Sequence, residues 1–169
     1  MDNYNKYKGK GLSGLQNLGN TCFINSTIQC MFNVYELNDT IDNINLQEKI
    51  NDKPDSVLLL EWNKLREMIW NENCIISPGG FVSNVKKISK VKDKDLFTGW
   101  AQNDLPEFLF FLLDCFHNAL CREVDMTING KVENDKDKMA KICYEMMQKM
   151  YKKEFSEILT LFYGIHVSN

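Results

Sequence analysis

One cysteine in this chain stands directly behind a Gly/Asn turn and directly ahead of a helical apolar pattern. The stretch is Gly14-Leu15-Gln16-Asn17-Leu18-Gly19-Asn20-Thr21-Cys22-Phe23-Ile24-Asn25-Ser26. Ile24, Ile28, Met31 and Tyr35 fall on one face of a helix expected from Thr21 to about Tyr35. Cys22 therefore falls at a helix N-terminus, where unpaired backbone N–H groups and the positive end of the dipole favour negative charge. Asn17 and Asn20 lie close before it and carry N–H2 donors, and the Cys22 amide is a further donor. Acyl transfer needs such donors aimed at a developing oxyanion. The same asparagines also suit a plain turn, because Asn tolerates left-handed backbone. A packing role, which most intracellular cysteines serve, is open for Cys22 at this level.

The rest of the pattern predicts a mainly α chain of about five helices with a C-terminal strand-like segment. Pro54-Asp55-Ser56 opens a second helix carrying Leu58, Trp62, Leu65 and Ile69. Ser77-Pro78 opens a third, with Phe81, Val82, Val85 and Ile88. Asn38 to Pro54 reads as loop with a short helical turn around Leu46, and Lys90 to Asp95 as a charged connector. Asp104-Leu105-Pro106-Glu107 reads as the N-cap and first turn of a fourth helix, with Phe108, Leu112, Cys115 or Phe116, and Ala119 as its buried stripe. Arg122 to Asp137 reads as a polar loop, followed by a fifth helix with Met139, Ile142, Cys143, Met146 and Met150 on one side. Leu159 to Ser168 is rich in β-branched and aromatic residues and reads as a strand with an unpaired edge. Residues 1–10 read as a flexible lead-in and 11–169 as one domain.

At 169 residues the chain is long enough to bury a core, and its net charge of −3 gives no reason to expect nucleic-acid binding. No apolar run approaches the ~20 residues that span a bilayer, and the polar N-terminus shows no signal peptide. The six cysteines are scattered and include no C-x-x-C pair, which favours reduced thiols in a cytoplasmic or nuclear setting over disulfides or a structural zinc site. No metal and no cofactor is expected.

The stretch Leu15 to Ser26, continuing to Ile28-Gln29-Cys30, resembles the cysteine box of the ubiquitin-specific proteases, nearly position by position. Trp100-Ala101-Gln102-Asn103-Asp104-Leu105-Pro106-Glu107-Phe108-Leu109 is similar to that family's Gln-Gln-Asp-x-x-Glu-Phe-Leu segment, with Asn103 and Pro106 departing from its commonest residues. Leu161-Phe162-Tyr163-Gly164 is a weaker echo of its Leu-Phe-x-Gly stretch. The resemblance implies a cysteine-type deubiquitinase and the thumb half of a papain-like α+β fold, covering residues 11–169 with the fingers and palm absent. It implies Cys22 as nucleophile and Asn17 as the oxyanion-hole side chain. It places Gln102 and Asp104 along a channel for ubiquitin's basic C-terminal tail. A carboxylate at a helix start can pair with an arginine of such a tail, and Asp104 can cap its helix as well.

The family's catalytic histidine lies in a Gly-His-Tyr-type box that this sequence lacks. Neither His117, inside the fourth helix, nor His166, in the terminal segment, is expected to be the base. The expectation is a chain that is a poor hydrolase alone. Its partners would be ubiquitin or ubiquitinated proteins, together with a segment or chain that supplies the palm and the histidine. The alternative is a non-catalytic module that binds ubiquitin or another protein.

Overall fold

The computed structural model describes residues 3–93, 96–97 and 101–168. Met1 and Asp2 of the lead-in, Lys94 and Asp95 of the connector, Trp100 of the second motif and Asn169 lie outside the described residues. The chain is mainly α, as its periodicities predict. The helices are α1 (Cys22–Phe32), α2 (Tyr35–Asn43), α3 (Leu46–Lys49), α4 (Ser56–Asn71), α5 (Gly79–Val91), α6 (Leu105–Leu120), α7 (Asp135–Tyr151) and α8 (Glu157–Phe162). Two short strands, β1 (Gly14–Leu15) and β2 (Ile75–Ile76), pair in parallel with Gly14 opposite Ile75 and Leu15 opposite Ile76.

The core sits around α6, which packs against α1, α4 and α8, while α4 also carries α5. The α6 stripe is buried as predicted: Phe108, Leu112, Cys115, Phe116 and Ala119 are all inside. So are Leu58, Trp62, Leu65 and Ile69 of α4, and Phe81, Val82, Val85 and Ile88 of α5. Trp62 is the hub, with its ring centroid 5.6 Å from Phe32 and 5.3 Å from Phe116, so that α1, α4 and α6 share one aromatic contact. At the edge of this core, Lys92 bridges Asp55 (2.6 Å) and Asp114 (2.7 Å), tying the end of α5 to the start of α4 and the middle of α6.

Three local readings change. Residues 38–43, read as loop, belong to α2, because Leu37 and Ile41 pack inward at i, i+4 spacing and the buried Asn38 amide donates to Phe32 O (2.6 Å). The strand read at Leu159–Ser168 is absent. Residues 157–162 instead form α8, since buried Ser156 caps it by accepting from Leu159 N, and Ile158 and Leu159 then face the core. A capped turn with two inward apolar residues outweighs weak β propensity here. Helix α7 starts earlier than read, at a capping box in which Asn134 accepts from Asp137 N and Asp137 reaches back to Asn134 N. Its apolar side does not face the core: Tyr151 is its one buried residue, and Met139, Ile142, Met146 and Met150 are exposed. The α7 excursion is closed at its neck by the Arg122–Phe155 backbone bridge and a bidentate pair from Arg122 to Glu157 at 2.9 and 2.7 Å.

Asn3–Tyr7 form a 3-10 turn, and Tyr7 is buried.

Candidate active site

The turn before Cys22 is built almost entirely from its own residues. The Asn17 amide oxygen accepts from Gly19 N (3.1 Å), Thr21 N (3.3 Å) and Thr21 Oγ1 (3.0 Å). Thr21 Oγ1 in turn accepts from Leu18 N (3.0 Å). Gly19 and Asn20 adopt φ of +93° and +49°, the left-handed pair that reverses the chain. The turn-forming role of Asn17 is thus realised through its oxygen, so the N–H2 is the part of the amide left for a ligand. Thr21 spends its hydroxyl inside the turn and gives α1 no side-chain cap. The helix therefore opens at exposed Cys22 with its first amides uncapped by that side chain.

Thr21 and Asn25 carry roles that the sequence reading did not assign. Buried Thr21 is the keystone of the turn, and its place between Asn20 and Cys22 was the available signal. Asn25 donates to Leu15 O (3.4 Å) and Gln16 O (3.2 Å), fastening the approach strand to the first turn of α1.

The second motif arrives at the same end of the core. Asp104 is the N-cap of α6, with Oδ1 accepting from Glu107 N (3.2 Å), and Pro106 sits in the first turn. Gln102 and Asp104 are both exposed. Phe23, the residue after Cys22, meets Phe108, one helical turn after Asp104, edge-on at 5.3 Å. Phe97 completes the junction: its buried ring lies 5.9 Å from Phe23, 5.3 Å from Phe108 and 5.2 Å from Phe111. Its φ of +64° is strained for a phenylalanine, a position that periodicity does not flag.

The histidines do not join this group. His117 lies nine residues beyond Phe108, about 14 Å along α6 at 1.5 Å per residue. Its Nδ1 is 2.8 Å from Ser156 Oγ, and burial pushes its pKa below the usual imidazole range. It serves the α6–α8 junction. His166 is exposed in the terminal segment. Among the described residues no group of His, Cys, Asp and Glu is arranged to hold a metal ion. The six cysteines are free thiols; Cys115 is fully buried, and burial pushes its thiol well above the usual range. No helix among the described residues is long and apolar enough to cross a membrane.

A family model described as Ubiquitin carboxyl-terminal hydrolase matches residues 13–167. The chain is 33% identical over 167 residues to Ubiquitin carboxyl-terminal hydrolase 2 of Bos taurus, covering 96% of this chain and 27% of that protein. It is 34% identical over 172 residues to the Homo sapiens protein of the same name, with the same 96% and 27% coverage. Against Ubiquitin carboxyl-terminal hydrolase 12 of Saccharomyces cerevisiae it is 29% identical over 184 residues, 98% of this chain and 14% of the relative. The chain thus spans about a quarter of the length of the mammalian relatives and less of the yeast one.

Proposed function

We propose that this chain, which belongs to the ubiquitin carboxyl-terminal hydrolase family, carries the nucleophile half of a cysteine-type deubiquitinase site. Cys22 Sγ attacks the carbonyl carbon of ubiquitin's terminal glycine. The Asn17 N–H2 and the Cys22 N–H receive the oxyanion, the amine leaves, and water later cleaves the thioester. A histidine outside these 169 residues takes the thiol proton and returns it to the leaving amine. Gln102 and Asp104 hold the basic tail of ubiquitin, Asp104 through the lone pairs that its cap bond leaves over. The observation that carries this reading is the Asn17 side chain: its oxygen is committed to three bonds inside the turn that leads into exposed Cys22, which leaves the N–H2 as the end of the amide for a ligand. The partners are ubiquitin and ubiquitinated proteins.

The position of His117, bonded at Ser156 Oγ, favours a second reading for the chain taken by itself: a ubiquitin-binding module without turnover. Two assays on residues 1–169 separate the readings. Ubiquitin bearing a thiol-reactive C-terminal group should form one adduct, mapped to Cys22 and lost in Cys22→Ala. Hydrolysis of a ubiquitin C-terminal fluorogenic amide should be absent or very slow. An adduct that persists in Cys22→Ala, or none at all from folded protein, overturns the nucleophile assignment. Binding of unmodified ubiquitin without any adduct supports the module.

A further inference from the structure

Residues 6–16 are fastened to the fold by a run of contacts that ends at the Asn17 turn. Tyr7 stacks on Tyr35 with centroids 4.6 Å apart, meets Trp70 edge-on at 4.6 Å, and donates its hydroxyl to Asp39 (2.9 Å). Lys6 adds ion pairs to Asp39 and Asp42. Two residues on, Gly9 O accepts from the Asn73 amide (2.9 Å), whose oxygen accepts from Leu12 N (3.0 Å). Between them Gly11 passes across Trp70 so closely that a Cβ would lie 2.5 Å from the ring, at a φ of +74° that disfavours side chains. Ser13 Oγ then donates to Glu72 O and accepts from Cys74 N. The β1–β2 pairing takes over with Gly14 N to Cys74 O (3.1 Å) and Gln16 N to Ile76 O (2.9 Å), and Asn17 follows. From Tyr7 to Gln16 the chain is a rail clamped along one side to residues 70–76. The opposite side is held by α1, through Asn25 at Leu15 and Gln16 and through Gln29 at Ser13 O (2.8 Å).

We propose that Tyr7 is a positioning residue for the Asn17–Cys22 turn, acting through this rail from its anchorage between Tyr35 and Trp70. A two-residue parallel ladder is too short to hold its own register, since each strand contributes one or two bonds. The aromatic dock fixes the far end of the segment, so Gly14–Gln16 cannot slide or fray and the turn presents one geometry at Cys22. The inference rests on the preceding reading only in treating that turn as the working part of the site.

The test uses the 1–169 chain and needs no ubiquitin. Amide exchange at Gly14 and Gln16 is followed together with the alkylation rate of Cys22 by iodoacetamide, resolved by mass from Cys143 on α7. Tyr7→Ala should speed exchange at both amides at least tenfold and change Cys22 alkylation at least threefold, with α6 amides and Cys143 unmoved. Gly11→Ala should do the same from the other end of the dock, by clash with Trp70. Tyr7→Phe keeps the ring contacts and should stay within threefold of the unmodified chain. Unchanged exchange at Gly14 and Gln16 overturns the proposal. So does an equal rise at α6, which would mark Tyr7 as a general stabiliser, or faster β1 exchange with Cys22 alkylation unaltered. If ubiquitin fails to form the Cys22 adduct while these local effects appear, the deubiquitinase reading falls and the rail stands.

Discussion

Replacing Asn17 in two ways separates its service to the turn from its service to a ligand. Asn17→Ala removes the oxygen that accepts from Gly19 N, Thr21 N and Thr21 Oγ1. The side chain is exposed, so each bond counts at the low end of the usual range, about 0.5 kcal/mol, and the three together about 1.5 kcal/mol. For a domain of this size that is a fall in Tm of about 3–6 °C. Asn17→Asp keeps an acceptor of the same shape and places a negative charge near the N-terminus of α1, which is neutral or favourable by ~0.3–1 kcal/mol. Its Tm should therefore match or slightly exceed that of the unmodified chain. The assay is thermal unfolding at neutral pH and low salt, with calorimetry to check that the transition stays two-state. If Asn17→Ala melts with the unmodified chain, the three bonds do not stabilise the turn. If Asn17→Asp is as unstable as Asn17→Ala, the acceptor is not what matters and the reasoning fails. On the proposed reading, Asn17→Asp, although folded, should lose ~10²–10³ in kcat in any form of the protein that turns over, because the donor would be gone and a like charge would face the oxyanion.

The pH dependence should carry a signature of His117. Burial lowers its folded pKa below the ordinary value of about 6.5, so the unfolded chain takes up the proton first as pH falls. Its contribution is fully present above that ordinary value and is lost as pH drops from there through the lowered folded value; His117→Gln should flatten urea-measured stability in that window, and an unchanged profile would refute the assignment. The exposed side of α7 makes a second contrast. Ile142→Ala should cost under about 0.5 kcal/mol because the residue is 53% exposed, whereas Ile28→Ala, at 0% exposure, should cost ~2–5 kcal/mol; equal losses in urea titrations would mean α7 is buried against the core in solution.

The helices that face the core were legible because their periodicity is written in contiguous residues. Phe108, Leu112, Phe116 and Ala119 repeat at three and four, and the structure buries each of them. At α7, Met139, Ile142 and Met146 repeat just as regularly yet stand exposed. Periodicity establishes that a face is apolar; it does not say what covers it. The strand reading of Leu159–Ser168 failed on a capping signal, since Ser156 lies before the window in which the β-rich composition was judged. The parallel pairing of β1 with β2 joins residues about sixty apart through two-residue strands, and nothing local announces it. The left-handed Phe97 is invisible for a related reason: its ring contacts lie on α1 and α6. The Asn17–Thr21 turn sits at the other extreme, with every bond closed within five residues, so a short motif suffices to specify it.

Asn17 and Asp104 each commit one oxygen to chain geometry, Asn17 to its turn and Asp104 to the N-cap of α6. Each has a second group left over, an N–H2 in one case and the other carboxylate lone pairs in the second. Truncation to alanine removes both functions at once, so a loss of activity in Asn17→Ala or Asp104→Ala says nothing about which was needed. The isosteric exchanges run in opposite directions and do separate them. Asn17→Asp preserves the acceptor and deletes the donor, while Asp104→Asn preserves a cap acceptor and deletes the charge that would meet a basic tail. Because Phe23 and Phe108 lock the two helix starts to one another, a collapse of either turn would also displace its neighbour. Only substitutions that leave both the Asn17 turn and the Asp104 cap standing can assign chemistry to the side chains themselves.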